Sequence, residues 1–493
     1  MPALVNSQPE PVRPESGTRR VFTREEAFAL ADRLLKEHPQ LLIGIVHCSH
    51  AISKVSAGAV LDTEDGDTID VRWWSAIGSG IGVGVSTNQI HDPGLANVFS
   101  HVTAIESPRK PLVVPPLDPD DEDHLTFRRR DLLPVSLWHE TTLQAMDSVR
   151  GDVLSKLVKD LKASGLVGSA TLGFAARSAL YFSKYGRQAY CHETDSELTV
   201  TARTPDNKAS GWSGQTNRDW SQIRPDVVVA KAVDMANRSR NIVALEPGRR
   251  MAILGPAAVA DLVRQMAGGF DAAYTDMGAT PFSLFNDPRK RTSMLGMRVF
   301  DARIMMVSDP ADPDGGFPSF FNGGDEGGYP TPAVTWIDHG VLKNLAYSVS
   351  YGMVRGKTPC VGPDSVRVMA APGVQTATIE EMIANCREGV YVNRLSHLEL
   401  LDQKSGMVTG VTRDGCFFIK NGKIDKPIKN FRIHESPFFS FNKLEMIGTT
   451  ERVAFGYNVP PGMREWMRWP PLPVLAPPMM VQDFNFSALS DAV

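Results

Sequence analysis

Asn421-Gly422 stands between two short strand-like runs, residues 416–420 and 423–428. A two-residue connection of this kind predicts a tight antiparallel hairpin, because both turn positions need positive φ and Asn and Gly tolerate it. A second hairpin is predicted where residues 334–337 and 341–347 flank Asp338-His339-Gly340. Between them lies a capped helix. Thr378 and Glu381 form the capping box, Ile379, Met382, Ile383 and Cys386 form the apolar stripe, and Gly389 is read as the glycine past the helix end. The second half of the chain is therefore expected to be strand-dominated with a few helices.

The first half mixes both elements. Thr23 and Glu26 form another capping box, followed by Ala27, Leu30, Ala31, Leu34 and Leu35 at helical spacing, and His38-Pro39 stops that helix. Strands are predicted at 41–47, 68–74, 81–87 and 198–202, and helices at 136–149, 153–164 and 226–238. A strand at 251–254 opens the second half. A chain of 493 residues is too long for one compact core. The expected fold class is α+β in two domains, with a disordered leader at 1–20, an N-terminal α+β domain at 21–240 and a strand-rich C-terminal domain at 241–493. Residues 108–136, with the acidic run from Asp118 to Asp123 and the basic run Arg128-Arg129-Arg130, read as a surface connection. Residues 460–478, rich in proline and carrying Trp466 and Trp469, read as an irregular lid or edge.

A net charge of -4 gives no electrostatic reason to expect nucleic-acid or membrane partners. No window approaches eighteen consecutive apolar residues. The five cysteines are Cys48, Cys191, Cys360, Cys386 and Cys416. They are odd in number, far apart and without a CxxC pair, which argues against a disulfide scaffold and fits a reducing cytoplasm.

Four ordered blocks carry a family resemblance. They are Thr335-Trp336-Ile337-Asp338-His339-Gly340-Val341-Leu342, then Ala371-Pro372-Gly373, then Glu388-Gly389-Val390-Tyr391-Val392, then Ser405-Gly406 followed by the Asn421-Gly422 hairpin with Pro427. Together they resemble the C-terminal domain of the TldD/PmbA family, described as modulators of DNA gyrase and as peptidases with their partners. The first half fits more loosely, mainly over residues 196–211. The resemblance implies a pair of subunits, one with a zinc-binding HExxxH helix and a PmbA-like (TldE) one without it. Histidines about a helical turn apart can share a metal, and the adjacent glutamate can polarise its water.

This chain departs from the zinc-binding pattern where the helix should follow Ile253-Leu254-Gly255-Pro256. Arg264 and Gln265 stand where the His-Glu pair is expected, and Gly269 near the second histidine. No histidine lies between His192 and His339, and no cysteine follows Cys416. Arginine stays protonated and offers no lone pair to a metal. The resemblance therefore implies a metal-free subunit, with no cofactor of its own, whose HExxxH-bearing partner holds the zinc and with which it processes a peptide. The alternative is a stand-alone hydrolase or natural-product tailoring enzyme with a rebuilt, non-zinc site.

Other constellations read more plainly. His139-Glu140 lacks a second histidine, since Leu143 and Gln144 follow at the required spacings, so it marks a helix start. His47-Cys48-Ser49-His50 cannot converge on one ligand, because alternate strand side chains point to opposite faces; it reads as a strand end. Cys191-His192-Glu193 is no dyad by adjacency alone. The sequence Gly78-Ser79-Gly80-Ile81-Gly82-Val83-Gly84 lacks the lysine and helix start of a phosphate loop. Asn322, Asp325 and Glu326, with paired glycines beside the two acids, form a candidate mobile loop near a cleft.

Overall fold

The structure, a computed structural model, describes residues 20–36, 41–57, 59–75, 132–183, 188–284, 292–320, 328–360, 362–363, 365–454 and 473–490. The leader, the strand expected at 81–87, the glycine run 78–84, most of the 108–136 connection and residues 460–472 of the tail lie outside the described residues.

The first helix, Arg24–Leu34, begins as its sequence dictates. The Thr23 hydroxyl accepts from the Glu26 amide at 3.2 Å, and the Glu26 carboxylate accepts from the Thr23 amide at 3.0 Å. Five antiparallel strands follow: β1 (Leu41–Ser56), β2 (Ala59–Ser75), β3 (Val167–Ser183), β4 (Gln188–Arg203) and β5 (Ser210–Asn217). Their order is β2-β1-β3-β4-β5. Helices Glu140–Ser148, Arg150–Ala163 and Pro225–Arg238 set Met146, Leu154, Leu157, Leu161, Val228 and Ala232 against Leu172, Phe174, Leu198 and Val200 of the sheet.

β1 and β4 run far beyond their predicted ends. β1 is paired on both sides, so His47-Cys48-Ser49-His50 sits mid-strand rather than at a strand end. In β4 the acidic residues that masked the strand signal are buried and neutralised, as described below.

The second half contains β6 (Gly248–Leu254), β7 (Ser283–Leu284), β8 (Thr292–Ser293), β9 (Ile304–Ser308), β10 (Val334–Asp338), β11 (Val341–Leu342), β12 (Val366–Ala370), β13 (Glu388–Asp402), β14 (Met407–Lys420), β15 (Lys423–Pro427), β16 (Asn430–Glu435), β17 (Leu444–Ile447), β18 (Glu451–Val453), β19 (Val474–Ala476) and β20 (Met479–Ser490). The path β13-β6-β20-β16-β14 closes on itself, because β14 also pairs with β13. The result is a small barrel whose β13–β6 seam is parallel and whose other seams are antiparallel. Closure removes the exposed edges that an open sheet would present. The fold is α+β with several sheets.

Both predicted hairpins form. Asn421 and Gly422 have φ of 51° and 76°, and His339 and Gly340 have 48° and 74°. The helix Ile379–Asn385 carries its capping box, with Glu381 N donating to the Thr378 hydroxyl at 3.2 Å. Gly389 is not its terminal glycine. The helix ends at Asn385 with Cys386 as cap, and Gly389 lies in β13. A Cβ there would stand 2.6 Å from Cys386 Sγ and 2.9 Å from the Met251 carbonyl, so close packing requires the glycine. The tail also differs from expectation, since Val474–Ala476 is an inner strand between β12 and β18. Pro473, Pro477 and Pro478 flank β19 instead of interrupting it.

Candidate functional site

The helix Pro256–Met266 leaves β6 through Gly255, with proline in its first turn where no amide is needed. Ala258, Val259, Leu262, Val263 and Met266 are buried in the main apolar cluster of the second half. The opposite face carries Asp261, Arg264 and Gln265 at i, i+3 and i+4, the neighbouring positions of one helical stripe. Arg264 Nη1 donates to Asp261 Oδ1 at 3.3 Å, and Asp261 Oδ2 accepts from the Leu395 amide at 3.2 Å. Burial pushes the Asp261 carboxyl up to about 6, against the pull of Arg264 and Arg394. Burial also pulls the Arg264 guanidinium down, against Asp261 and Glu197.

Gly269 lies beyond the α-helix, in the tighter turn Ala267–Phe270, and is buried. A Cβ there would stand 2.8 Å from Cζ of Phe438. Arg264, Gln265 and Gly269, the positions singled out in the sequence, thus offer a protonated guanidinium, a carboxamide and a glycine pressed against an aromatic ring. This set does not fit a zinc ion. Among the described residues, no three His, Cys, Asp or Glu side chains are grouped to hold a metal.

The same helix faces a charged layer on the first sheet. Glu193, Asp195 and Glu197 alternate along β4, so all three carboxylates project from one face. They are 0%, 5% and 3% exposed, a burial that carboxylates tolerate only when paired. Glu193 accepts from Arg177 and from Arg218, each at 3.1 Å. Arg218 also donates to the Gly316 carbonyl at 2.6 Å, tying the sheet to the second half. Asp195 pairs with Arg452 and accepts from the Thr216 hydroxyl at 3.3 Å. Its carboxyl is nonetheless raised, because burial outweighs Arg452 and Arg218. Glu197 reaches Arg264 through the electrostatic interaction noted above. Beside this layer, Asn393 donates to the carbonyls of Trp212 and Asp414 at 3.1 and 2.9 Å, and the Arg394 guanidinium sits 4.9 Å over the Trp212 ring.

The sequence reading missed this acid ladder. The signal was present as Glu-x-Asp-x-Glu, a period of two, but three acids in five residues look solvated until their arginines are located. Those arginines lie in β3, just after β5, in the helix and in β18.

The remaining candidates are distributed as follows. His139 is the N-cap of Glu140–Ser148, as expected. His47 and Cys48 point to opposite faces. His47 Nδ1 accepts from the Phe22 amide at 3.1 Å, whereas Cys48 and His50 share the face that carries Arg177 and Glu193. His50 Nε2 lies 3.2 Å from Glu64 Oε1. Cys191 faces the charged layer, while His192 stacks on Trp138 at 4.9 Å on the other side. Asn322, Asp325 and Glu326 lie outside the described residues. The flanking Phe320 and Gly328 both meet Tyr181 on the charged-layer face of β3.

Residues 247–488 match the family profile described as the PmbA/TldA metallopeptidase C-terminal domain. No curated protein matches the sequence. Solved structures share the whole architecture. A candidate modulator of a DNA gyrase from Thermotoga maritima aligns with a TM-score of 0.73 at 14% identity, covering 93% of this chain and 99% of the other. TldE from Thermococcus kodakarensis aligns with 0.68 at 14% identity, covering 93% and 99%. A candidate DNA-gyrase modulator from Bacteroides thetaiotaomicron aligns with 0.69 at 15% identity, covering 94% and 98%.

Proposed function

We propose, from the match of residues 247–488 to the PmbA/TldA metallopeptidase C-terminal domain, that this chain is the metal-free subunit of a two-subunit peptidase. In this reading a HExxxH-bearing relative supplies the zinc, and this chain supplies the scaffold that positions a peptide. The observation that carries the proposal is the stripe Asp261, Arg264, Gln265 with Gly269 against Phe438. In this reading an arginine held by Asp261 and a glycine pressed against Phe438 stand at the two ligand positions, so this chain has no metal-activated water to offer. Positioning contributes to catalysis only when a nucleophile comes from elsewhere. The likeness in fold to TldE supports the same assignment. A division near residue 240 belongs to the proposal, since among the described residues β1 to β5 pair only among themselves. Elemental analysis of chain purified without added metal tests it. The expected result is no stoichiometric zinc, and close to one zinc per chain surviving mild chelation would overturn it.

A second reading, a hydrolase with a rebuilt site, is favoured by one arrangement. Cys48 and His50 share a strand face, His50 is paired with Glu64, and Arg177 stands opposite Cys48 on β3. A thiol, an imidazole with a carboxylate partner and a guanidinium are the components of nucleophilic catalysis. Hydrolysis by the isolated chain in the presence of chelator, abolished by Cys48→Ser, would establish this reading in place of the first.

A further inference from the structure

A cleft of about 400 Å³ opens at the seam between the two halves, between β5, the helices Pro225–Arg238 and Ile379–Asn385, the barrel and β18. It is distinct from the acid ladder, and its size lies within the range of about 300–1,000 Å³ typical of small-molecule sites. Trp212, Tyr391, Phe417 and Ile383 give it apolar walls, and Lys231 and Glu451 stand among its lining residues.

These two charges carry the inference. Lys231 is close enough to lower the Glu451 carboxyl, yet the two do not meet as an ion pair within 4 Å. The other basic group in the cleft, Arg238, is already engaged. It pairs with Asp234 at 3.4 Å and lies 5.4 Å over the Phe417 ring. Lys231 is thus the cation available to an incoming anion, and Glu451 is an acceptor for an incoming ammonium. Lys231 lies on the helix Pro225–Arg238 and Glu451 on β18.

From this juxtaposition we infer that the cleft binds a small zwitterion of the free amino-acid or dipeptide class. The ammonium is received by Glu451, the carboxylate by Lys231, and an apolar side chain by Ile379, Ile383 and Ile424, the half-buried aliphatic residues of the lining. Pro256 and Ala257 also line the cleft. The ligand would therefore touch the first turn of the helix that carries Asp261 and Arg264 further along. The inference does not require the subunit pairing proposed above, and its test uses this chain alone.

The test is isothermal titration of the full-length chain with leucyl-leucine, N-acetyl-leucyl-leucine and leucyl-leucinamide. Leucyl-leucine is expected to bind with one-to-one stoichiometry and at least about tenfold more tightly than either blocked form, the loss expected when one charged contact disappears. Glu451→Gln should remove the discrimination against the acetylated peptide, and Lys231→Met the discrimination against the amide. Both side chains are exposed, so each variant should melt close to the parent. Equal binding of the three peptides, no binding of leucyl-leucine at millimolar concentration, or discrimination unaltered in both variants would overturn the inference.

Discussion

The barrel and the five-stranded sheet both bury long strands, but with different chemistry. In the barrel, Ala252, Leu254, Val390, Val392, Val408, Phe431 and Ile433 enter one apolar cluster. In the sheet, one face of β4 buries Glu193, Asp195 and Glu197; Glu193 and Asp195 are paired with arginines from other elements, and Glu197 interacts electrostatically with Arg264. The apolar solution is tolerant, because hydrophobic contacts are non-directional and need only volume and pattern. The ionic solution is demanding. Desolvation costs several kcal/mol per charge and is offset only while every partner is in place. The barrel is therefore a scaffold, and the charged layer is where the two halves are tied together, through Arg218 to the Gly316 carbonyl and Arg452 to Asp195.

The largest expected effects test that contrast directly. Glu193→Ala leaves Arg177 and Arg218 buried without their carboxylate and should cost about 3–5 kcal/mol. Phe431→Ala, which empties barrel volume beside Phe486, should cost a similar 3–5 kcal/mol. Denaturant titration measures both. Replacing the Glu193, Arg177 and Arg218 group together by apolar residues of similar size should recover most of the first loss. If Glu193→Ala is silent while Phe431→Ala is not, the charged layer does not hold the halves together.

Gly422→Val is expected to cost at least about 1–2 kcal/mol, through the positive φ of the turn. A Cβ there would also come within 2.7 Å of the Ala384 carbonyl, so the hairpin tip loses its seat on the capped helix. An unchanged melting temperature would contradict the turn.

Hairpins, capping boxes and the N-cap at His139 were legible because their signals are local, a few residues whose φ or hydrogen bonds are fixed by neighbours in sequence. The lengths of β1 and β4 were not, because their polar stretches become strand only through partners on other elements, such as Arg218 for Glu193 and Arg452 for Asp195. Gly389 was misread for a related reason, since a glycine past a helix and a glycine in a close-packed strand look alike until Met251 is placed beside it. At the candidate site the sequence singled out positions 264, 265 and 269 as an expectation. It did not reveal that Asp261 would close the ion pair, or that Phe438 would cover Gly269.

The smallest expected effect concerns pH. The Asp261 carboxyl, at about 6 in the fold, lies above its ordinary value of 3.8. A group raised in this way favours the fold in its protonated form. Its contribution is complete below pH 4 and is lost as the pH rises through 6. After solvent screening this amounts to about 1–2 kcal/mol. The difference in unfolding free energy between pH 4 and pH 7 should therefore shrink in Asp261→Asn. An identical pH dependence in parent and variant would show that Asp261 titrates as an ordinary surface acid.

The central claim, that this chain positions a peptide for a nucleophile it does not itself carry, is tested most directly by reconstitution. Peptide cleavage is measured for this chain alone, for a HExxxH-bearing relative from the same source alone, for the two mixed, and for the mixture with the partner's motif glutamate replaced by glutamine. The account predicts cleavage only in the intact mixture. Equal cleavage by the partner alone, or cleavage by this chain alone, would contradict it.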